Sequence, residues 1–178
     1  MSDAETEKQR SSVWRKTKLI VCIVVLLFAA VYVPARLLAV RYTNRGTELY
    51  NESKFDEAIA QFERAMRTYP GFKPARKMLG QTCHQKAESA FAENDYTEAE
   101  KQYKRAIKLK AETSDVHYKL AHIYWVQGKN ARGLAELDKH AKQKPKDRRV
   151  EKLRGLLQRE KKANPPAEDE PSPENEPE

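Results

Sequence analysis

The 178 residues are 34% charged and 8% aromatic, with six glycines. That length and composition suit one helical domain with non-globular flanks and exclude two independent cores. The net charge of +8 is unevenly spread, because residues 163–178 hold six acids and no base, which leaves +14 on the rest. Cys22 lies in an apolar run and Cys83 in a predicted helix, too far apart to pair, so cysteine usage does not identify a redox compartment.

Residues 1–18 form a polar N-terminal tail of mixed charge that ends in Arg15, Lys16 and Lys18. Residues 19–35, LIVCIVVLLFAAVYVPA, then run seventeen positions without a charge. With Arg36, whose stem can snorkel, and residues 37–40, the stretch reaches twenty-two residues, enough to cross a bilayer. We therefore expect a transmembrane anchor over 19–40. A cleaved signal peptide, with Ala35 before the cut and Val33 two residues earlier, is the alternative. The long polar start and long apolar run argue against it, and apolarity on every side argues against a buried core helix. Lys8, Arg10, Arg15, Lys16 and Lys18 precede the run, while Arg36, Arg41, Arg45 and Lys54 follow it. Five against four places the N-terminus in the cytoplasm and the following domain on the outer, periplasmic or lumenal, side. Pro34 is expected to kink the chain at the membrane edge.

From residue 42 small and large apolar residues recur in phase. Gly46, Ala58, Phe62, Ala65 and Pro70 open the series. Ala87, Ala99, Tyr103 and Ala106 repeat the offsets, with Ala111 in the proline's place. Ala121, Gly133, Leu137, His140 and Pro145 repeat them again, beside Leu120 and Tyr124. The step from Ala99 to Gly133 is 34 residues and that from Ala58 to Ala99 is 41. This pattern resembles the tetratricopeptide repeat, W-x₂-L-G-x₂-Y…A-x₃-F…P. Tyr42 stands where that pattern has Trp, and Arg45 where it has Leu. The resemblance covers residues 39–147 and implies an all-α fold, a short α-solenoid of three helix pairs at about 39–72, 73–113 and 114–147. Seven extra residues make nearly two helical turns and return the same face within about 20°. One long helix from Pro74 through Asn94 is therefore expected to absorb the 41-residue step.

After Pro145, residues 148–162 place Val150, Leu153 and Leu157 on one helical stripe, read as a basic capping helix. A basic amphipathic helix lying on anionic lipid is the alternative. Residues 139–162 hold eleven Lys or Arg against Asp147, Glu151 and Glu160. Lys139, Lys142, Lys144, Lys146, Arg148, Arg149 and Lys152 make up the candidate basic patch. Residues 163–178 are acidic and proline-rich, with no large apolar residue, and are read as a disordered tail.

The repeat resemblance implies binding of other proteins' segments in a concave groove lined by the first helix of each pair. Four positions past each opening small residue stand Tyr50, Phe91 and Trp125, with His84 seven before Phe91. Together with Tyr118, Lys119 and His122 these are the candidate groove residues; half-buried packing is the alternative for the aromatics. The chaperone-tail clamp found in one branch of the family maps to Thr43, Thr47, Gln85, Asp115 and Lys119. Only Lys119 is basic there, so the clamp is not expected.

No metal, cofactor or catalytic role is expected. His84, His117, His122 and His140 lack metal-ligand spacing, no glycine-rich phosphate loop occurs, and Cys83 reads as a core residue. Nucleic acid is disfavoured, since no aromatics interleave the basic run. The expected function is a membrane-tethered scaffold that binds partner proteins or peptides and assists assembly or recruitment. The alternative is an electrostatic adaptor acting through residues 139–162 on anionic lipid or polymer.

Overall fold

The computed structural model describes residues 2–111 and 115–163; of the stretch 163–178 read as a disordered tail only Ala163 is described, at the end of a helix, and the rest lies outside them. Among the described residues there are seven helices and no strand: α1 Ser2–Asn51, α2 Phe55–Thr68, α3 Lys73–Ala92, α4 Tyr96–Lys108, α5 Val116–Val126, α6 Asn130–Gln143 and α7 Arg148–Ala163. Their contacts divide the chain into two units, Met1–Met78 and Leu79–Glu178.

In the first unit α1 changes character along its length. Its most apolar window, within residues 17–51, is long and apolar enough to cross a membrane, and protein covers none of it. Leu26, Leu27 and Val31 are each more than 60% exposed. The helix does not end at Pro34 but continues through it to Asn51. Farther on, Ala39, Thr43, Gly46 and Leu49 are buried at spacings of four and three, the stripe an amphipathic helix turns toward a partner. Thr43 donates to the Ala39 carbonyl at 2.8 Å, so burial leaves its hydroxyl satisfied. The partner is α2, which buries Ala58, Ile59, Phe62 and Ala65. Ala39 clusters with Ala65, and Gly46 faces Phe62, so the two helices run antiparallel. A Cβ on Gly46 would stand 2.7 Å from the Phe62 ring, which is why this crossing uses glycine.

The turns within the helix pairs share one geometry. Ser53, Asn94 and Gly128 have φ of 60°, 61° and 75°. Each follows a helix whose last carbonyls it closes: Lys54 N–H bonds Leu49 at 2.9 Å, Asp95 bonds Ala90 at 2.9 Å, and Lys129 bonds Tyr124 at 2.8 Å. These are Schellman turns, and left-handed backbone at the closing residue lets α2, α4 and α6 reverse onto their partners. Asp95 adds a side-chain cap, accepting from the Glu98 N–H at 3.1 Å.

In the second unit two cores follow one another. Ala87, Ala90, Ala99, Tyr103, Val116, Leu120, Ile123 and Tyr124 form the first. Ala121, Leu137, Val150, Leu153 and Leu157 form the second, with α7 supplying the last three. Gly133 lets the Leu157 side chain and the Ala121 carbonyl approach, with an added Cβ falling 2.9 Å and 3.3 Å from them. Buried and half-buried polar side chains cross between helices in pairs. Tyr103 donates to Glu88 at 2.7 Å, Tyr124 to Glu100 at 3.1 Å, and His117 Nδ1 lies 2.6 Å from Glu136. Each bond joins neighbouring helices and sets their relative height, since an unpaired buried group costs more than the bond contributes.

Candidate functional site

The second unit carries a half-buried band of aromatic and charged side chains along α3 and α5. Phe91 on α3 lies 5.4 Å from His122 on α5, ring centre to ring centre, and His122 lies 5.4 Å from Trp125, both pairs edge-on. Edge-on rings at this separation are the favoured arrangement for aromatic pairs. Trp125 points its Nε1 donor toward α7, where Glu160 accepts at 2.9 Å. Tyr96, from the first turn of α4, packs 5.8 Å from Phe91 and closes one end of the band.

A charged arm borders the rings. Lys119 on α5 donates to Glu88 on α3, and its ammonium sits 5.0 Å from the centre of the Phe91 ring. His84 lies one turn before Glu88, its Nε2 3.6 Å from that carboxylate and its ring 6.0 Å from Tyr103. Burial opposes the Glu88 charge, but hydrogen bonds from Lys119 and Tyr103 and the nearby cations outweigh it and hold the carboxyl below its ordinary value. Burial lowers His84, with Glu88 opposing and Lys119 assisting, and burial alone lowers His122. Both imidazoles therefore favour the neutral form more than a free histidine does. The Nδ1 atom of His122 is buried and has no hydrogen-bond partner among the described residues. A surface of neutral rings beside one neutralised lysine favours apolar and aromatic side chains over a strongly charged ligand.

Of the predicted groove residues, His84, Phe91, Lys119, His122 and Trp125 come together in this band. Tyr50 belongs to the first unit, where its ring lies 5.9 Å from Phe55. Tyr118 turns toward the neighbouring helices, 5.8 Å from His140 and with the Arg149 guanidinium 4.7 Å from its ring centre. Glu88, Tyr96 and Glu160 were not anticipated. Glu88 was legible in principle, since it stands 34 residues before His122 and so on the same stripe of the preceding repeat. Tyr96 and Glu160 come from a second helix and from the capping helix, positions that an offset counted along first helices does not sample.

The basic stretch is partly neutralised by the fold. Lys139 pairs with Glu136 at 2.8 Å, Lys144 with Asp115 at 3.0 Å, and Arg149 with Asp147 and Asp115 at 2.7 Å and 3.2 Å. Lys142, Lys146, Arg148 and Lys152 remain exposed. Asp115, His140 and Asp147 also bring ligand-type atoms within 4.8 Å of one another. Lys144 and Arg149 already occupy both carboxylates, so the cluster is an ion-pair network and disfavours a cation. Asp115, one of the clamp positions, is committed to these cations. Cys83 is fully buried, in the manner of a small core residue.

The turns at Ser53, Asn94 and Gly128 stand at the same 41- and 34-residue steps as the sequence pattern. A family profile described as tetratricopeptide repeat matches residues 90–157. Over those residues the chain is similar to the tetratricopeptide repeat. Human Superkiller complex protein 3 is 30% identical over 82 residues, which are 46% of this chain and 5% of that protein. Its mouse counterpart is 28% identical over 88 residues, 49% of this chain and again 5% of the relative. The chain thus spans about a twentieth of the length of the curated relatives it matches. Among solved structures, the C-terminal TPR-containing domain of a Plasmodium falciparum FK506-binding protein is 16% identical, with a TM-score of 0.48, covering 72% of this chain and 91% of that one. YrrB, described as a TPR protein with an unusual peptide-binding site, is 18% identical with a TM-score of 0.43, covering 67% of this chain and 58% of that one.

Proposed function

We propose that the chain is a membrane-tethered interaction scaffold, held in the bilayer by α1 and binding a segment of a partner protein on the band formed by Phe91, His122 and Trp125. The observation that carries this reading is that large, half-exposed rings from successive first helices meet edge-on beside Lys119, where a partner's apolar side chains can be desolvated. Aromatic anchors of this kind dominate the energetics of peptide recognition. Membership of the matched human relative in a complex, as its name states, agrees with a role in assembly or recruitment. Tyr50 offers a second anchor on the first unit.

The electrostatic alternative rests on Lys142, Lys146, Arg148 and Lys152, which stay exposed. Two variants separate the readings in crosslinking from native membranes. Phe91→Ala with Trp125→Ala is expected to weaken partner capture at least about tenfold, since each truncation at an interface anchor costs about 1–4 kcal/mol. Lys142→Gln, Lys146→Gln and Lys152→Gln together are expected to leave it nearly unchanged, because exposed single charges contribute less. Loss of capture only in the lysine variant, with native helicity in both, overturns the aromatic face.

A further inference from the structure

We propose that the corner between α2 and α3, residues 67–77, is a docking site for anionic phospholipid headgroups that seats the first unit on the bilayer. The proposal rests on α1 being a membrane span, and its first support is a matter of length. Tyr32, on the lipid-facing part of α1, stacks on Phe28 at 3.8 Å and meets Tyr69 edge-on at 6.3 Å, and Tyr69 meets Phe72 at 6.1 Å. The corner is therefore held at the height of Tyr32 along the span. A hydrocarbon core of about 30 Å takes about 20 helical residues. Counted from the first uncharged residue, Leu19, the far edge falls near Leu38, about 9 Å beyond Tyr32 at about 1.5 Å per residue. If the span instead begins nearer Trp14, the far edge falls at Tyr32 itself. The second register seats Tyr69 and Phe72 at the interface, where amphipathic rings are favoured, and the docking site requires it; the first would sink them about 9 Å into the hydrocarbon.

Charge gives the second, independent support. No Asp or Glu occurs between Glu7 and Glu48, or between Glu63 and Glu88. Antiparallel packing gathers the first unit's share of both acid-free stretches at its membrane-facing end. Arg36, Arg41, Arg67, Lys73, Arg76 and Lys77 are exposed there, and no described acidic side chain pairs with any of them. The opposite end holds Glu48, Glu52, Asp56 and Glu57, and its cations are engaged, Arg45 with Glu48 at 2.8 Å and Lys54 with Glu52 at 2.9 Å. Six unpaired cations around an aromatic corner complement phosphate-bearing headgroups, and juxtamembrane cations of this kind are attracted to anionic leaflets.

The test uses the full-length chain with Cys83→Ala, reconstituted in phosphatidylcholine vesicles with or without one-third phosphatidylglycerol. A nitroxide is placed in turn on Cys22 and, in a Cys22→Ser background, on Pro74→Cys or Asn51→Cys. Collision with oxygen and with a water-soluble nickel complex reports each label's depth. We expect label 22 in the hydrocarbon, label 74 at headgroup depth in the anionic vesicles, and label 51 in water. Neutralising the corner with Arg67→Gln, Lys73→Gln, Arg76→Gln and Lys77→Gln is expected to raise the nickel accessibility of label 74 to that of label 51. A label 74 as water-accessible as label 51, with label 22 still in hydrocarbon, overturns the docking site and leaves the anchor standing. A label 22 outside the hydrocarbon overturns the anchor, and the docking site with it. A label 74 equally deep in neutral vesicles and in the neutralised variant overturns recognition of the anionic headgroup.

Discussion

At the scale of single residues, the repeats depend on atoms that are missing. Gly80 on α3 faces the end of α4, and a Cβ there would stand 2.3 Å from the Cβ of Ala111 and 3.2 Å from that of Leu109. Both are first side-chain atoms, so no rotation moves them aside. Gly80→Ala gains about 1 kcal/mol of helix propensity but overpacks the crossing by about 1–3 kcal/mol, so a net loss of up to about 2 kcal/mol is expected in chemical denaturation. Adding Ala111→Gly removes the opposing methyl and should restore most of that loss, a coupling that two distant, independent sites would not show. Strictly additive effects would mean that the two residues do not meet.

At the scale of helices, the seven additional residues of the second repeat lie inside α3, which runs unbroken through Lys73–Ala92. The buried stripe continues from Ala75 through Leu79, Cys83, Ala87 and Ala90 without changing face, as seven residues at nearly two turns require. Carboxylates then fix the helices against one another. The hydrogen bond from Lys86, at 2.8 Å across α3 and α4, pulls Glu98 down against a smaller effect of burial, and Gln102 and Lys101 add to it, so its pKa falls from 4.5 to about 2. Glu88, Glu100, Glu136 and Asp115 shift in the same direction. A carboxyl lowered on folding contributes stability that is fully present above its unfolded value and is lost as the pH falls through the folded one. The repeats should therefore lose denaturant resistance progressively from pH 4.5 toward about 2, read by circular dichroism. Glu98→Gln should flatten that dependence, and an unchanged slope would assign the acid sensitivity to the other carboxylates.

At the scale of the whole molecule, the same helix that buries Ala39 and Leu49 against α2 exposes its apolar half, from Leu19 to Val33. Such an exposed run in water would drive aggregation, and lipid is the solvent that suits it. Carbonate extraction of native membranes should leave the full-length chain in the pellet. A soluble product beginning near Arg36 would show a cleaved signal peptide instead.

The sequence pattern, through its resemblance to a known repeat, implied the helical class and the three phased helix pairs, and the seven-residue step implied the long third helix, because small residues at close crossings and apolar stripes are properties of one chain segment read in order. It also brought His84, Phe91, Lys119, His122 and Trp125 into view as one face, since equal offsets in stacked helices share a side. Tertiary structure alone decided that Tyr118 leaves that face for His140 and Arg149, that Glu88 neutralises Lys119, and that three of the seven basic-patch residues are spent on ion pairs. It also carried α1 through Pro34 and set Tyr69 against Tyr32. These outcomes depend on distances between residues far apart in the chain, and an offset along one helix contains no information about what the next helix places opposite it.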